Sequence, residues 1–118
     1  MVALIIAGSR DYTDYTFIAA QIDRIVPTIG SPVTEIVSGG ARGVDACGER
    51  YAAERSIPVT QFPADWHRHS RAAGPIRNRE MAEYADYLIA FSSGGPGTTN
   101  MIKTMRSFGK PLTVVTLP

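Results

Sequence analysis

The chain has 118 residues, of which 44% are apolar and 19% are charged, and this size and composition are typical of one globular domain with a hydrophobic core. We therefore expect a single domain over residues 1–118. The formal net charge of +1 disfavours a long nucleic acid as partner, because proteins that bind one usually carry a large basic excess. Any anion that the protein binds is expected to be small.

The single cysteine and the first residues indicate a soluble protein of the cytoplasm. Cys47 has no second cysteine with which to form an intramolecular disulfide, which fits a reducing compartment. The N-terminal run MVALIIAGSRDY is too short to span a membrane and lacks the basic leader of a signal peptide. We expect this run to form a buried first strand, and we expect no membrane partner.

The first half of the chain predicts three strands and two helices in alternation. In order, they are a strand at 2–7, a helix capped by Thr13 or Asp14, a strand at 35–38, a helix from about Val44, and a strand at 56–62. The first helix has an apolar stripe at helical spacing. Its members are Phe17, Ile18, Ile22, Ile25 and Val26.

The second half continues the alternation after a long loop. The segment ADWHRHSRAAG, residues 64–74, lacks apolar periodicity and is predicted to be that loop. A helix is expected from Pro75, since proline is favoured in a first helical turn, and a strand follows at 86–91. A helix from about Thr98 and a strand at 112–116 complete the chain.

The alternation predicts an α/β fold, specifically a Rossmann-like three-layer sandwich with a five-stranded parallel sheet between helices. The first and fourth strands are the most apolar and are expected at the centre, which gives the order 3-2-1-4-5. In that order, strands two and three lie on one side of strand one, and strands four and five lie on its other side. A crevice is expected between strands one and four, at the carboxyl ends of the strands.

Three loops rich in Gly and Ser lead into this crevice: GSRDY after strand one, SGGARGVD after strand two and SSGGPGTTN after strand four. The second and third run directly into helices, whose first amides and partial positive charge favour a phosphate. We therefore predict a phosphate-binding site there. Its candidate residues are Gly8, Ser9, Arg10, Ser38, Gly39, Gly40, Ala41, Arg42, Gly43, Asp45, Arg77, Gly94, Gly95, Gly97, Thr98 and Thr99.

Other side chains admit two readings. Arg77 is assigned to the ligand, whereas Arg79 is expected to pair with Glu83 one helical turn on. Tyr12 and Trp66 are candidates for stacking on a base, although Trp66 could equally cover the edge of the sheet. The segment DWHRHS offers only Asp65, His67 and His69 as metal ligands, too few for the usual site, so we expect neither a metal nor a resident cofactor.

Known nucleotide motifs are absent. No G-x-x-x-x-G-K-[ST] sequence occurs, which disfavours a phosphate-loop ATPase or GTPase. The first turn lacks G-x-G-x-x-G, and strand two ends in SGG rather than in the acidic residue that holds a ribose in nicotinamide enzymes. A dehydrogenase is therefore disfavoured as well.

Three stretches of the chain together resemble the SLOG superfamily of Rossmann-like proteins, and within it the small bacterial and phage branch related to YpsA. They are AGSR, SGGARGVD and IRNREMAEYADYLIAFSSGGPGTTNMI. The resemblance implies binding of a phosphorylated nucleoside or nucleotide-derived signal of the ADP-ribose type. The resemblance spans nearly the whole chain.

We also expect a homo-oligomer, because many helix positions are apolar.

Two relatives within that superfamily suggest alternatives. Lonely-Guy phosphoribohydrolases are similar at Arg77 and Met81 and at the G-G-x-G-T residues 94–98, but Met101 stands where they have a catalytic glutamate. Without that carboxylate, cleavage of a nucleoside monophosphate would need another acid, such as Asp45 or Glu80. DNA-processing protein A is similar over residues 38–45 and implies binding of single-stranded DNA, which the near-neutral charge disfavours.

Overall fold

The computed structural model describes all 118 residues as a parallel sheet covered by helices. The strands are β1 (Val2–Gly8), β2 (Val33–Ser38), β3 (Val59–Gln61), β4 (Tyr87–Ser92) and β5 (Leu112–Thr116). The helices are α1 (Tyr15–Ile25), α2 (Val44–Glu54), α3 (Trp66–His69), α4 (Ala73–Tyr84) and α5 (Pro96–Ser107). Short 3₁₀ turns follow α1 at Val26–Thr28 and α3 at Ser70–Ala72.

The sheet has the order β3-β2-β1-β4-β5 with every pair parallel, so the predicted fold and strand order are confirmed. The central pair is in register from Leu4 opposite Tyr87 to Gly8 opposite Phe91. Strands β2 and β3 are added on one side of β1, and β4 and β5 on the other side, which places the most apolar strands at the centre as expected. The loops after β1 and β4 therefore leave the sheet side by side at its carboxyl edge.

Two apolar clusters lie on opposite faces of the sheet. On one face, Ile6 and Phe91 pack with α1 and α2 through residues such as Ile18 and Ile22. On the other face, Ile5 and Ala90 pack with the methionines of α4 and α5. The alternation of neighbours such as Ile5 and Ile6 between the faces is the period of a β-strand. These clusters make the three layers that the sequence predicts.

The segment predicted to be loop, residues 64–74, is mostly helical. The Asp65 side chain accepts a hydrogen bond from the amide of Arg68 (3.0 Å) and caps α3. Helix α4 then begins at Ala73, two residues before the predicted start at Pro75. The proline is accommodated because amides in a first helical turn have no intrahelical partner. The predicted cap of α1 is confirmed at Asp14, which accepts from the amide of Phe17 (3.3 Å).

Two contacts fix the helices on the sheet. A Cβ atom added to Gly48 of α2 would lie 2.8 Å from Cβ of Ile6, so the glycine lets the helix backbone approach β1 closely. At the end of α4, Lys110 Nζ donates to three backbone carbonyls, those of Ala82, Glu83 and Ala85, each at 2.8 Å. No helix in the chain is both long enough and apolar enough to cross a membrane.

Candidate functional site

The three glycine-rich loops meet around one cavity of about 980 Å³ at the carboxyl edge of the sheet. The loop after β1 contributes residues 8–11, the loop after β2 contributes residues 39–42, and the loop after β4 contributes Ser93 and Gly95. The convergence expected from the strand order is therefore present. The helical segment after β3 contributes Trp66 and Arg71 to the wall.

The first turns of three helices also face the cavity. In helix α5 the N-cap Gly95 makes no side-chain capping bond and the first turn has no acidic residue. The first intrahelical hydrogen bond runs from the amide of Thr99 to the carbonyl of Gly95 (3.1 Å), so the amides of Gly97 and Thr98 precede it. A Cβ atom on Gly95 or Gly97 would meet nothing within 4 Å. This helix start has the geometry of an anion site.

Four arginines and two aspartates line the cavity: Arg10, Arg42, Arg71, Arg77, Asp11 and Asp45. Arg42 Nη2 lies 3.3 Å from Asp11 Oδ1, but both side chains are mostly exposed, which makes this ion pair weak. Arg10 and Arg71 form no ion pair with any side chain. Two guanidinium groups are therefore free to meet an anion in the cavity.

Arg77 is held by the protein itself. Its Nη1 donates to the carbonyl oxygen of Gly39 (2.8 Å) and its Nε donates to Asn78 Oδ1 (3.1 Å). A Cβ atom on Gly39 would lie 2.5 Å from that Nη1, so a side chain at position 39 would displace the guanidinium. Arg77 thus joins the loop after β2 to α4. The neighbouring Arg79 pairs with Glu83 (3.5 Å), as its spacing predicts.

Asp45, in the first turn of α2, is the buried acid of the cavity and is 6% exposed. Its Oδ2 accepts a hydrogen bond from the amide of Ala41 (3.2 Å). Burial raises the pKa of Asp45 to about 6, because desolvation outweighs the opposing effects of the Ala41 amide and the Arg77 charge. The carboxylate therefore occupies the start of α2 with negative charge at neutral pH.

Asn78 connects α4 to the open start of α5. Its Nδ2 donates to Asn100 Oδ1 (2.9 Å) and to the carbonyl of Gly97 (3.4 Å), and its side chain is buried. These bonds fix the first turn of α5 against α4. Asn100 is the last residue of the glycine-rich loop SSGGPGTTN but was not among the candidates, and nothing in the sequence pattern singled out Asn78.

Most of the predicted site residues lie in the cavity wall. Those that do are Gly8, Ser9, Arg10, Gly39, Gly40, Ala41, Arg42, Asp45, Arg77, Gly95, Gly97, Thr98 and the stacking candidate Trp66. Trp66 is 55% exposed at the rim and lies over Gly74. The structure brings these residues together, and whether they bind a ligand stays a prediction.

Five predicted residues lie outside the wall: Ser38, Gly43, Gly94, Thr99 and Tyr12. Ser38 is buried beneath its loop, where its Oγ donates to Glu49 Oε2 (2.6 Å) and accepts from the amide of Gly40 (3.1 Å). Tyr12 packs edge-on against Phe17, with ring centroids 5.9 Å apart, on the face of the sheet that α1 covers. Tyr12 is therefore not positioned to stack on a base in the cavity.

Two charged residues of the wall were missed from the sequence, Asp11 and Arg71. Asp11 directly follows the predicted Arg10 and lies within the loop GSRDY, but it was not chosen because a carboxylate does not favour a phosphate. Arg71 lies in the segment predicted to be loop, and only its helical fold carries it to the cavity. No three His, Cys, Asp or Glu residues are grouped so that they could hold a metal ion.

Solved structures with similar folds include two DNA processing proteins A. The one from Streptococcus pneumoniae aligns with a TM-score of 0.75 and 14% identity, over 97% of this chain and 50% of that chain. The one from Helicobacter pylori, described for its mode of binding single-stranded DNA, aligns with a TM-score of 0.66 and 18% identity over 96% and 65%. The likeness is one of fold, and this chain spans only half the length of the streptococcal protein.

Comparison of sequences identifies relatives of higher identity than these solved structures. The model of the YspA, cpYpsA-related SLOG family matches residues 2–69, which include the loops after β1 and β2. The Gene 61 protein of Mycobacterium phage D29 is 33% identical over 117 residues, covering 92% of each chain. The resemblance seen in the sequence motifs is thereby confirmed, and the chain belongs to the YspA, cpYpsA-related SLOG family.

Proposed function

We propose that the protein binds a phosphorylated nucleoside derivative, such as an ADP-ribose-type signal, in the cavity at the carboxyl edge of the sheet. The observation that carries this proposal is the convergence of three glycine-rich loops on one cavity lined by four arginines. Backbone amides at helix starts and arginine side chains are the two groups that proteins use most directly to bind phosphate.

The start of α5 is the best place for a phosphate. Its first-turn amides precede the helical hydrogen bonds, and the glycines at 95 and 97 leave open space in front of them. The start of α2 is less suitable, because Asp45 already brings negative charge there. Arg10 and Arg71 line the same cavity without an ion-pair partner and supply the compensating charge.

The size and rim of the cavity favour a ligand larger than a bare phosphate. Its volume of about 980 Å³ lies at the upper end of the roughly 300–1,000 Å³ range of small-molecule sites. The half-exposed ring of Trp66 offers an aromatic face at the rim, on which a base can stack. A phosphate at the start of α5 with a sugar and base reaching toward Trp66 makes use of these features together.

Calorimetric titration with AMP, ADP-ribose, cyclic ADP-ribose and NAD tests the proposal, with native mass spectrometry of the purified protein as a search for a retained ligand. Gly97→Ala should abolish or strongly weaken binding, because the methyl group would project toward the phosphate without meeting any protein atom. Arg10→Ala should weaken binding by about ten-fold or more, since a bond to a charged group contributes about 1.5–3 kcal/mol.

Arg106→Ala is the matched control for Arg10→Ala, because Arg106 is an exposed arginine on α5 outside the cavity. It should leave the affinity unchanged. Absence of binding by all four compounds would contradict the proposal. Salt-sensitive retention of a single-stranded oligonucleotide would instead favour the DNA-binding role described for the H. pylori protein.

One observation favours hydrolysis of a nucleoside monophosphate as a second candidate. Asp45 supplies a carboxyl group in the cavity, and a pKa of about 6 suits a general acid or base near neutral pH. Met101, at the position of the Lonely-Guy glutamate, also lines the cavity but has no acid–base chemistry. Release of free adenine from AMP, followed by chromatography and lost in Asp45→Asn, would support this candidate.

A further inference from the structure

We propose that Asp45 accepts a hydrogen bond from a ribose hydroxyl of the ligand, so that the site prefers ribonucleotide derivatives to their deoxy forms. This inference rests on the proposed function, and it adds the class of sugar that the same site recognises. It concerns a cavity residue that the phosphate subsite at the start of α5 does not use.

One carboxylate oxygen of Asp45 has no partner in the protein. Oδ2 accepts from the amide of Ala41 at 3.2 Å, whereas Oδ1 takes part in no hydrogen bond. Every fully buried side-chain nitrogen or oxygen of the chain has a hydrogen-bond partner, so Oδ1 is not enclosed. Since Asp45 is only 6% exposed and lines the cavity, Oδ1 is open to the cavity.

The open oxygen calls for a hydrogen-bond donor that carries no negative charge. A phosphate would be repelled by the negative charge of the carboxylate. A ligand that displaced water from Oδ1 without donating a hydrogen bond to it would bind more weakly. Arg77 is the cation whose charge acts on the Asp45 carboxylate, but it donates its hydrogen bonds to Gly39 and Asn78 and forms no ion pair with Asp45. The donor must therefore come from the ligand, and the sugar hydroxyls are the neutral donors adjacent to a nucleoside phosphate.

The loop after β2 explains how an acid reaches this place. In nicotinamide-binding Rossmann proteins, an acidic residue at the end of a strand holds the ribose hydroxyls. Here β2 ends at Ser38 with two glycines after it, and the acid follows only in α2. The turn between β2 and α2 places the Asp45 carboxylate beside the end of β2. A Cβ atom on Gly39 would lie 2.9 Å from Asp45 Oδ2. Glycine at 39 thus keeps the carboxylate and the Arg77 guanidinium side by side.

The test compares AMP and ADP-ribose with their 2′-deoxy and 3′-deoxy forms by calorimetry on the unmodified protein. Loss of the recognised hydroxyl should weaken binding by roughly ten-fold to a hundred-fold, the usual effect of losing a hydrogen bond to a charged group. Asp45→Ala should abolish this discrimination. Glu80→Ala, which removes an exposed carboxylate of α4 outside the cavity, should retain it in full.

The outcomes separate the inference from the proposed function. Equal binding of a ribose compound and both of its deoxy forms overturns the inference and leaves the proposed function intact. Binding by none of the compounds overturns both. Discrimination that persists in Asp45→Ala overturns the assignment to this residue. If Asp45→Ala does not fold, Asp45→Leu, which has a similar volume and no hydrogen-bond acceptor, replaces it, and the comparison on the unmodified protein tests the sugar preference without any variant.

Discussion

Replacing Asp45 with asparagine measures what it costs to bury a carboxylate in the cavity wall. Burial raises the pKa of Asp45 from 3.8 to about 6, and each pKa unit corresponds to about 1.4 kcal/mol. The ionised group therefore makes the folded protein less stable by about 3 kcal/mol above pH 6 than when it is protonated. Asparagine has nearly the same shape and does not titrate.

The sign follows from proton binding in the two states. At a pH below both pKa values, the carboxyl is protonated in the folded and the unfolded chain and costs nothing. Between about pH 4 and about pH 6 the folded chain keeps the proton while the unfolded chain releases it, so stability falls as the pH rises. Above that window the contribution of Asp45 is constant.

Urea unfolding of the unmodified protein and of Asp45→Asn at about pH 4 and about pH 7.5 measures this effect. The free energy of unfolding of the variant, relative to the unmodified protein, should rise by about 2.5 kcal/mol between the two conditions, because at pH 4 the unfolded chain has already released part of its proton. All other titrating groups are shared and cancel in the difference. A difference independent of pH would show that burial does not shift this pKa. A fall with rising pH would show that Arg77 outweighs desolvation.

Three further predictions concern the supports of the site. Gly43→Ala should destabilise the protein by about 2 kcal/mol or more in denaturant titration. Residue 43 has φ +76°, and a Cβ atom there would lie 2.5 Å from the backbone of the loop after β1. The control Gly97→Ala should leave stability unchanged or slightly higher, because a Cβ atom at position 97 meets no protein atom. Lys110→Met should lower stability by about 1–3 kcal/mol through loss of three bonds at the end of α4, and the exposed Lys103→Met should not; equal effects would contradict this. Arg42→Ala should not change the thermal midpoint, since its ion pair is exposed, and a clear fall would show that the pair is structural.

The strand order was predictable because it depends on long apolar runs. Residues 2–7 and 86–91 contain few polar side chains, and only strands covered on both faces tolerate that composition. The convergence of the loops then followed from the topology alone. The position of the cavity at the carboxyl edge of the sheet was therefore predictable from the strand order.

The helical nature of residues 66–72 was not predictable from periodicity, because these residues have no apolar stripe. The packing of Trp66 over Gly74 depends on how α3 is placed against α4, whereas the cap supplied by Asp65 is local. Asp65 three residues before Arg68 was the one available signal for a helix start. The error mattered for the site, since it left out Arg71.

The partners of the cavity residues were equally beyond sequence reasoning. Arg77 was assigned to a ligand from its place in the first turns of a helix, and nothing in the pattern indicated that a carbonyl of Gly39, distant in sequence, would accept its hydrogen bond. The raised pKa of Asp45 likewise depends on how deeply a turn of glycines buries it. Tyr12 lies outside the cavity wall because it packs against Phe17 on the face of the sheet that α1 covers, a contact that the sequence did not indicate.

The contact between Gly48 and Ile6 couples the interior of the protein to its proposed recognition surface. Asp45 and Gly48 are on the same helix, less than one turn apart, so any side chain that lifts the helix from the central strand also moves the carboxylate. Substitutions deep inside the protein should therefore alter ligand preference without touching the ligand. Variation in sugar selectivity among relatives should accordingly be sought at positions 6 and 48 as well as in the loops.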